Sequence, residues 1–598
     1  MKKTARKLMT RQTVGPLLVL LGLFAFQAVQ LDSDPSQLFE GYQFNDEGYW
    51  NHSARCKVLF GTFLPDDFNQ DMIASPLFTL IQWGVFSIAG VSLFSARLLP
   101  MMSLWLTLLM VYYLVRRNSS SALALLAVLM LGLLHEMLMY TKWSTPIITQ
   151  ACFLTAIALF WELGKRGSRW WMAACGASLA AAVFTTLLAL HCLPGILLFL
   201  ALALWVRREV DVRRIVVFLG VALALGVAVG VFYYLPHLDQ VRLFMRTVGS
   251  ANLANDPSSG RTNAIQSLQA LPFLEIFCSP GVAPLTMLAS LWLVDLLVRI
   301  AREGLATVVT RMHSVELYCT CWILGALPSI IATPTIGSRR FVIFLAPLVV
   351  TTTFFLGRVW KATPSDATTT ASHGRCRGRW PLVGWCLVAA VWCECVWKGD
   401  AILHARWLTQ AGLNVSPWIT ATACMLVVGL AGVYFLLRKR NACIAILLGC
   451  FVVVNLGLTA LWYGFATYTI RDTSRRLRDD LAAKEYFLGY YVWELAFENA
   501  CLPLYPPWGK RMRMNEWFIE ESKRVSFLIN DDGKGDLAVH LSAERLSAIG
   551  QIRLFPLLFG DDEYHYKATL YRVKPLVNSP NESNAAPKAR HPIERAGT

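Results

Sequence analysis

Two adjacent carboxylates, Asp46 and Glu47 in the run FNDEGYWNHSAR, have the residue types and position to do chemistry. On a helix, neighbouring side chains diverge by about 100°, so the pair does not converge on one atom. One would face a site, and the other would hold structure or a metal ion. A carboxylate beside an apolar, water-poor surface suits general-base work, because desolvation raises a carboxyl pKa towards the working range. The same two residues also fit a solvated acidic loop. Basic side chains stand nearby or at matching positions: Arg55 in the same segment, Arg97 in SARLLP, Lys142 in TKWS, and Arg339 and Arg340 in GSRRFVIFLAPL. Such cations grip phosphate oxygens, or they snorkel at a membrane surface with their stems buried. His237 in YYLPHLDQ fits a metal ligand, a second base or an interfacial polar residue. The sequence contains no HExxH, Walker A, GxSxG or paired CxxC motif.

The elements that must position these residues are membrane helices. The chain has 598 residues, 55% of them apolar and only 16% charged. Soluble globular chains carry about 25% charged residues, so an ordinary soluble enzyme and a disordered chain are both excluded. The net charge of +16 would suggest nucleic acid in a soluble protein. In a membrane protein it is first a bias of the cytoplasmic loops, and no nucleic-acid partner is needed to explain it. Fifteen cysteines are scattered, many inside apolar runs, where they act as small hydrophobes. Cys56, Cys278 and Cys501 fall in segments expected outside the cytoplasm, and a disulfide among them stays open.

A spanning helix needs about 20 mostly apolar residues. Thirteen candidates follow, at roughly 14–30, 96–115, 121–140, 146–163, 170–187, 188–205, 215–235, 283–300, 314–333, 340–358, 381–397, 417–437 and 442–463. With the N-terminus inside, the inner segments hold 25 Lys and Arg and the outward connections before the tail hold 10. Basic excess marks the cytoplasmic side, so the N-terminus is expected inside and the C-terminal tail outside. No small-x-small cleavage site follows the first apolar run, which favours an uncleaved helix over a signal peptide. The expected fold is mainly α: a transmembrane module over 1–463 and a small extracytoplasmic α/β domain over 464–575. Within the module, 31–95 is a first outward loop whose apolar end, 76–90, is too short to span and suits an interfacial helix. A second outward loop covers 236–282. In the tail, helices are expected at 471–484 and 541–550, and strands at 525–530, 551–558 and 566–573. Residues 576–598 have the Pro, Asn, Ser and Ala composition of a disordered end.

The run from Asp46 to Pro100 resembles the first-loop signature of GT-C membrane glycosyltransferases. It is most similar to the branch of the protein O-mannosyltransferases and the bacterial lipid A aminoarabinose transferases. The matching positions are Asp46-Glu47, Ala54-Arg55, Gly61, Pro76-Leu77, Gly90 and Arg97-Leu98, with RRFVIFLAPL at 339–348 resembling the opening of a late span. The resemblance implies transfer of a sugar from a polyprenyl-phosphate donor to an extracytoplasmic hydroxyl or phosphate of a lipid, glycan or protein, with inversion at the anomeric carbon. It implies Asp46 as the base, Glu47 as its support, and Arg55, Arg97, Lys142, Arg339 and Arg340 as the residues of the donor phosphate. It also implies a bacterial inner membrane. The aminoarabinose transferases have Glu-Lys-Pro-Pro before the interfacial helix, where this chain has Ile73-Ala74-Ser75-Pro76. That loss puts a metal site shared with a loop histidine in doubt and leaves His237 an orphan candidate. No organic cofactor is implied, and a divalent metal ion stays open. Two other readings are a lipid-linked-glycan transporter or flippase and a non-catalytic membrane scaffold. The first requires polar residues spread through the spans, and no run of charges appears there. The second expects Asp46→Asn to be silent.

Overall fold

Apolar helices carry the architecture. The computed structural model describes residues 2–35, 46–63, 71–244, 276–277, 279–331, 338–361, 440–464, 466–478, 483–489, 492–504, 525–531, 546–556 and 564–573. Among them, seven helices are long and apolar enough to cross a membrane, or eight if a bent pair counts as one span. The chain is therefore a multi-pass membrane protein. The count of thirteen is not reached among the described residues. The expected spans at 381–397 and 417–437 lie outside them, two others are short, namely Val14–Ala28, the apolar part of α1 (Lys2–Ala28), and the 17-residue helix Arg169–Thr185, and the helix Ser314–Ile331, at the expected span 314–333, is not among the seven.

After α1 come α2 (Asp46–Phe60), α3 (Asp71–Ala74), α4 (Pro76–Ala89) and α5 (Leu93–Asn118). α4 begins with Pro76, whose missing N–H is harmless in the first turn. At 14 residues it is too short to span, as the sequence suggests. α5 opens on a capping box: the Ser92 hydroxyl accepts from the Ser95 N–H, and the Ser95 hydroxyl accepts from the Ser92 N–H. It closes on Arg116 and Arg117, which suit the negative end of the helix dipole. The third span is broken into α6 (Ser121–Gly132) and α7 (His135–Thr141), bent by 60°. The break is held by a polar cluster. The His135 N–H donates to Asn455 Oδ1 at 2.7 Å, His135 Nδ1 lies 3.2 Å from the Thr459 hydroxyl, and Ser279 donates to the buried Glu136 carboxylate.

Later spans pack through small residues. A Cβ on Gly195 would lie 2.2 Å from the Cys321 carbonyl oxygen, and one on Gly325 would lie 2.2 Å from the Gly195 Cα. The helices Leu193–Ala201 and Ser314–Ile331 thus cross at backbone contact, the usual device where helices associate without a hydrophobic driving force. In Val212–Val229 only Phe218 is buried, so that helix turns most of its apolar surface outward.

The C-terminal region forms a five-stranded mixed sheet. Its strands are β1 (Tyr486–Gly489), β2 (Leu502–Leu504), β3 (Val525–Asp531), β4 (Leu546–Pro556) and β5 (Tyr564–Val573), in the order β2-β1-β3-β5-β4. β1 runs parallel to β2 and β3, and β5 is antiparallel to β3 and β4. The helix expected at 541–550 is overturned over its second half. Leu546–Gly550 is strand, and Gly550 sits at a register shift between Ala548 and Gly550 instead of stopping a helix. Pairing with β5 overrides the local helix signals there. The helix expected at 471–484 is shorter, Thr469–Arg476, and the chain turns at Lys484 (φ 65°) into β1. Cys56 and Cys501 are both buried and are not bridged to each other, and Cys278 lies outside the described residues.

Candidate active site

The site grows from the first turn of α2. Asp46 and Glu47 are its first two residues, and they part company as helix geometry requires. Glu47 is fully buried. Its carboxylate takes a forked pair from Arg97, Nε to Oε1 at 2.7 Å and Nη2 to Oε2 at 2.6 Å, and Oε1 also accepts the Ser144 N–H at 2.9 Å. Asp46 is only half-buried. A pair this deeply buried holds its geometry firmly, because removing one partner strands the other at a cost of about 3–5 kcal/mol.

Ser144 connects three elements. Pro100 lies inside α5 and has no N–H, which frees the carbonyl of Ala96 four residues earlier. The Ser144 hydroxyl donates to that carbonyl at 2.7 Å. Asn51 Nδ2 donates to the Ser144 carbonyl at 2.9 Å and to the Glu47 carbonyl at 2.7 Å. The connection between the third and fourth spans is thereby locked onto both α2 and α5.

The predicted cations are placed as follows. Arg97 is buried and, beyond Glu47, donates to the carbonyls of Leu31 and Ser33. Lys142 is buried, donates to the carbonyls of Val29 and Gln30, and lies 4.0 Å from the Trp462 ring and 4.8 Å from the Tyr463 ring. Burial, and then the charge of Arg97, push the Lys142 ammonium down to about 6, with Asp32 pulling the other way. Arg55 is buried and donates to the carbonyls of Asn499 and Cys501. Its charge and, above all, burial hold His52 well below the ordinary imidazole range, with its Nε2 3.3 Å from Cys56 Sγ. Arg340 is half-buried at the 3₁₀ turn Ser338–Phe344, within electrostatic reach of His191. The Arg339 side chain lies outside the described residues. His237 donates through Nδ1 to the Tyr233 carbonyl at 2.8 Å. Tyr233 and Tyr234 in turn donate to the carbonyls of Met72 and Ile73 at 2.9 and 3.2 Å, docking the end of their span on α3.

The structure thus brings Glu47, Arg97 and Lys142 together around residues 29–33, whereas Arg55 faces the C-terminal region. Sequence reasoning missed Ser144 and Asn51. Only Ser144 left a trace, in the carbonyl freed by Pro100. Among the described residues, no three His, Cys, Asp or Glu side chains come together to hold a metal ion. Glu47 has both oxygens on Arg97, so Asp46 and Glu47 do not fit a shared metal.

Residues 74–234 match the family described as dolichyl-phosphate-mannose-protein mannosyltransferase. The structure is similar to ArnT from Cupriavidus metallidurans bound to undecaprenyl phosphate, with 15% identity, a TM-score of 0.54, and coverage of 94% of this chain and 98% of that one. The apo form of the same protein gives 15% identity and a TM-score of 0.54, with 95% and 98% coverage. The Archaeoglobus fulgidus oligosaccharyltransferase tethered with an acceptor peptide is more distant, at 12% identity and a TM-score of 0.44, over 93% of this chain and 74% of that one. No curated protein sequence matches the chain significantly. The chain is therefore a membrane protein of the GT-C fold, built on the plan of ArnT and carrying the mannosyltransferase family's pattern over residues 74–234.

Proposed function

We propose that this protein transfers a sugar from a polyprenyl-phosphate donor to an extracytoplasmic acceptor, with Asp46 as general base. The observation that carries the reading is the division of labour in the first turn of α2. Glu47 is consumed by Arg97 and Ser144, while its neighbour Asp46 stands half-buried in the same turn. Asp46 takes the proton of the acceptor hydroxyl as its oxygen bonds to the anomeric carbon. The bond from that carbon to the phosphate oxygen breaks, and the polyprenyl phosphate leaves with the electron pair, inverting the centre. Negative charge grows on the departing phosphate, where a half-buried guanidinium is best used. Arg340 fits that role, and Arg339 stands beside it in sequence. Arg97, Lys142 and Arg55 serve through the backbone carbonyls and the carboxylate they hold, and His237 through Tyr233. No step here is routed through a metal. The likeness to a protein crystallised with undecaprenyl phosphate supports a polyprenyl chain lying among the spans. The thirteen-span arrangement, with the N-terminus inside and the region after 464 outside in a bacterial inner membrane, belongs to the same proposal and rests on the charge asymmetry.

The test is sugar transfer by purified protein in nanodiscs, offered polyprenyl-phosphate mannose, glucose and aminoarabinose with envelope lipid and glycan extracts. Asp46→Asn is expected to lose about 100-fold or more. Equal transfer by parent and variant would remove Asp46 as the base, and a parent silent with every donor and extract would remove the transferase reading.

A further inference from the structure

The C-terminal region reaches the site directly. Glu494 and Trp493, in the short helix Val492–Leu495, lie on the first turn of α2. Glu494 is fully buried, and its Oε1 accepts the Gly48 N–H at 3.3 Å, across 446 residues of sequence. The first turn of a helix has N–H groups with no partner inside the helix, and Glu494 supplies an acceptor to one of them. The contact leaves no slack. A Cβ on Gly48 would lie 2.3 Å from the Trp493 carbonyl and 2.7 Å from the Glu494 nitrogen. The Tyr49 and Trp493 rings are 4.8 Å apart, and Arg55, two turns on, holds the carbonyls of Asn499 and Cys501. Asp46 is two residues from Gly48 on the same turn.

We propose that Glu494 is a positioning residue for the transfer step: from the C-terminal region it caps the first turn of α2 and sets the direction in which Asp46 meets the acceptor. This rests on the reading of Asp46 as the base. The role depends on the reach and acceptor oxygen of the side chain. A glutamine keeps both, and an aspartate keeps the charge but is one methylene short.

The experiment compares Glu494→Gln, Glu494→Asp, Glu494→Ala and Asp46→Asn in full-length protein in nanodiscs. Transfer is measured with the same polyprenyl-phosphate donors, binding with undecaprenyl phosphate, and amide exchange over Gly48–Asn51. Glu494→Asp is expected to lose about 10-fold in kcat with the donor KM and undecaprenyl phosphate binding unchanged, as a displaced base requires. Glu494→Gln is expected to stay within about threefold of the parent, as a preserved hydrogen bond requires. Exchange over Gly48–Asn51 should quicken in Glu494→Asp and not in Glu494→Gln, a readout that needs no turnover. Glu494→Ala should behave as Glu494→Asp or worse, and if it does not fold, Glu494→Asp carries the comparison. The proposal is overturned if Glu494→Asp matches the parent in kcat and exchange, if Glu494→Gln is as impaired as Glu494→Asp, or if the donor KM rises and undecaprenyl phosphate binding weakens as kcat falls. A dead Asp46→Asn beside a silent Glu494→Asp sinks this inference alone. An active Asp46→Asn sinks the reading beneath it.

Discussion

Lys142 shows how a residue chosen for one chemistry is used by the fold for another. The sequence offered it as a grip for phosphate, but its Nζ is spent on the carbonyls of Val29 and Gln30 and lies over the faces of Trp462 and Tyr463. Burial and Arg97 push it from 10.5 down to about 6. Between those two values the unfolded chain holds a proton that the folded chain has released. Stability must therefore rise with pH across that window, and below pH 6 this residue adds no further dependence. Lys142→Met removes the titration. The melting temperature of the parent, followed by intrinsic fluorescence in detergent, should climb relative to Lys142→Met from about pH 6.5 to 9. A parent–variant difference that stays flat over that range would mean that the carbonyls and rings keep the ammonium charged, and the shift would be wrong.

Elements meet at Ser144, and the reason is a defect in α5. Pro100 opens the hydrogen-bond ladder at Ala96, and Ser144 closes it from another segment while presenting its N–H to Glu47. Ser144→Ala should destabilise the protein by about 1–3 kcal/mol, the usual penalty for an orphaned buried acceptor. Pro100→Ala returns an N–H to the ladder, so Ser144→Ala should cost less in that background, a coupling that a double-mutant cycle of melting temperatures reads directly. Strict additivity would refute the link. This defect also marks the limit of what the sequence discloses. The interfacial helix at 76–90, the long spans and the carboxylate pair follow from length, apolar runs and residue type, which are local properties. That Glu47 belongs to Arg97 and Asp46 does not is set by which way one helix turn faces, and no spacing of single residues reports that. Leu546–Gly550 failed for the same reason: its partner strand β5 lies some twenty residues downstream and decides its conformation.

At the scale of the whole molecule, the region after the last described span is built onto the first-loop side of the membrane module. Ala54, Phe86, Leu93 and Ala96 from the first-loop side share one apolar core with Ile470, Phe487, Val492, Leu495 and Phe497. Polar clasps surround that core. Glu498 accepts from the Leu93 N–H and pairs with Arg475, Asp32 pairs with Arg471, and Asp34 does most of the fastening. The buried Asp34 carboxylate takes the Thr467 and Thr469 hydroxyls at 2.6 Å each and the N–H groups of Thr469 and Ile470 at 2.8 and 3.0 Å, so it caps the helix Thr469–Arg476 from 435 residues away. Charge-assisted bonds of this kind are about twice as strong as neutral ones, and four donors on one carboxylate leave it no other duty. The same stretch of chain, residues 29–34, is where Lys142 and Arg97 are anchored, so the clasp and the site share their foundation. Asp34→Ala should accordingly loosen the C-terminal region and not the spans. Hydrogen exchange should quicken over 469–478 and 492–499, while α5 and α8 (Pro146–Gly164) keep the parent's protection. Transfer should fall with it, because the short helix that carries Glu494 rides on the same region. A uniform rise in exchange through α5 and α8 would show that Asp34 supports the bundle as a whole, and a C-terminal region with unchanged protection would show that the shared apolar core suffices to hold it.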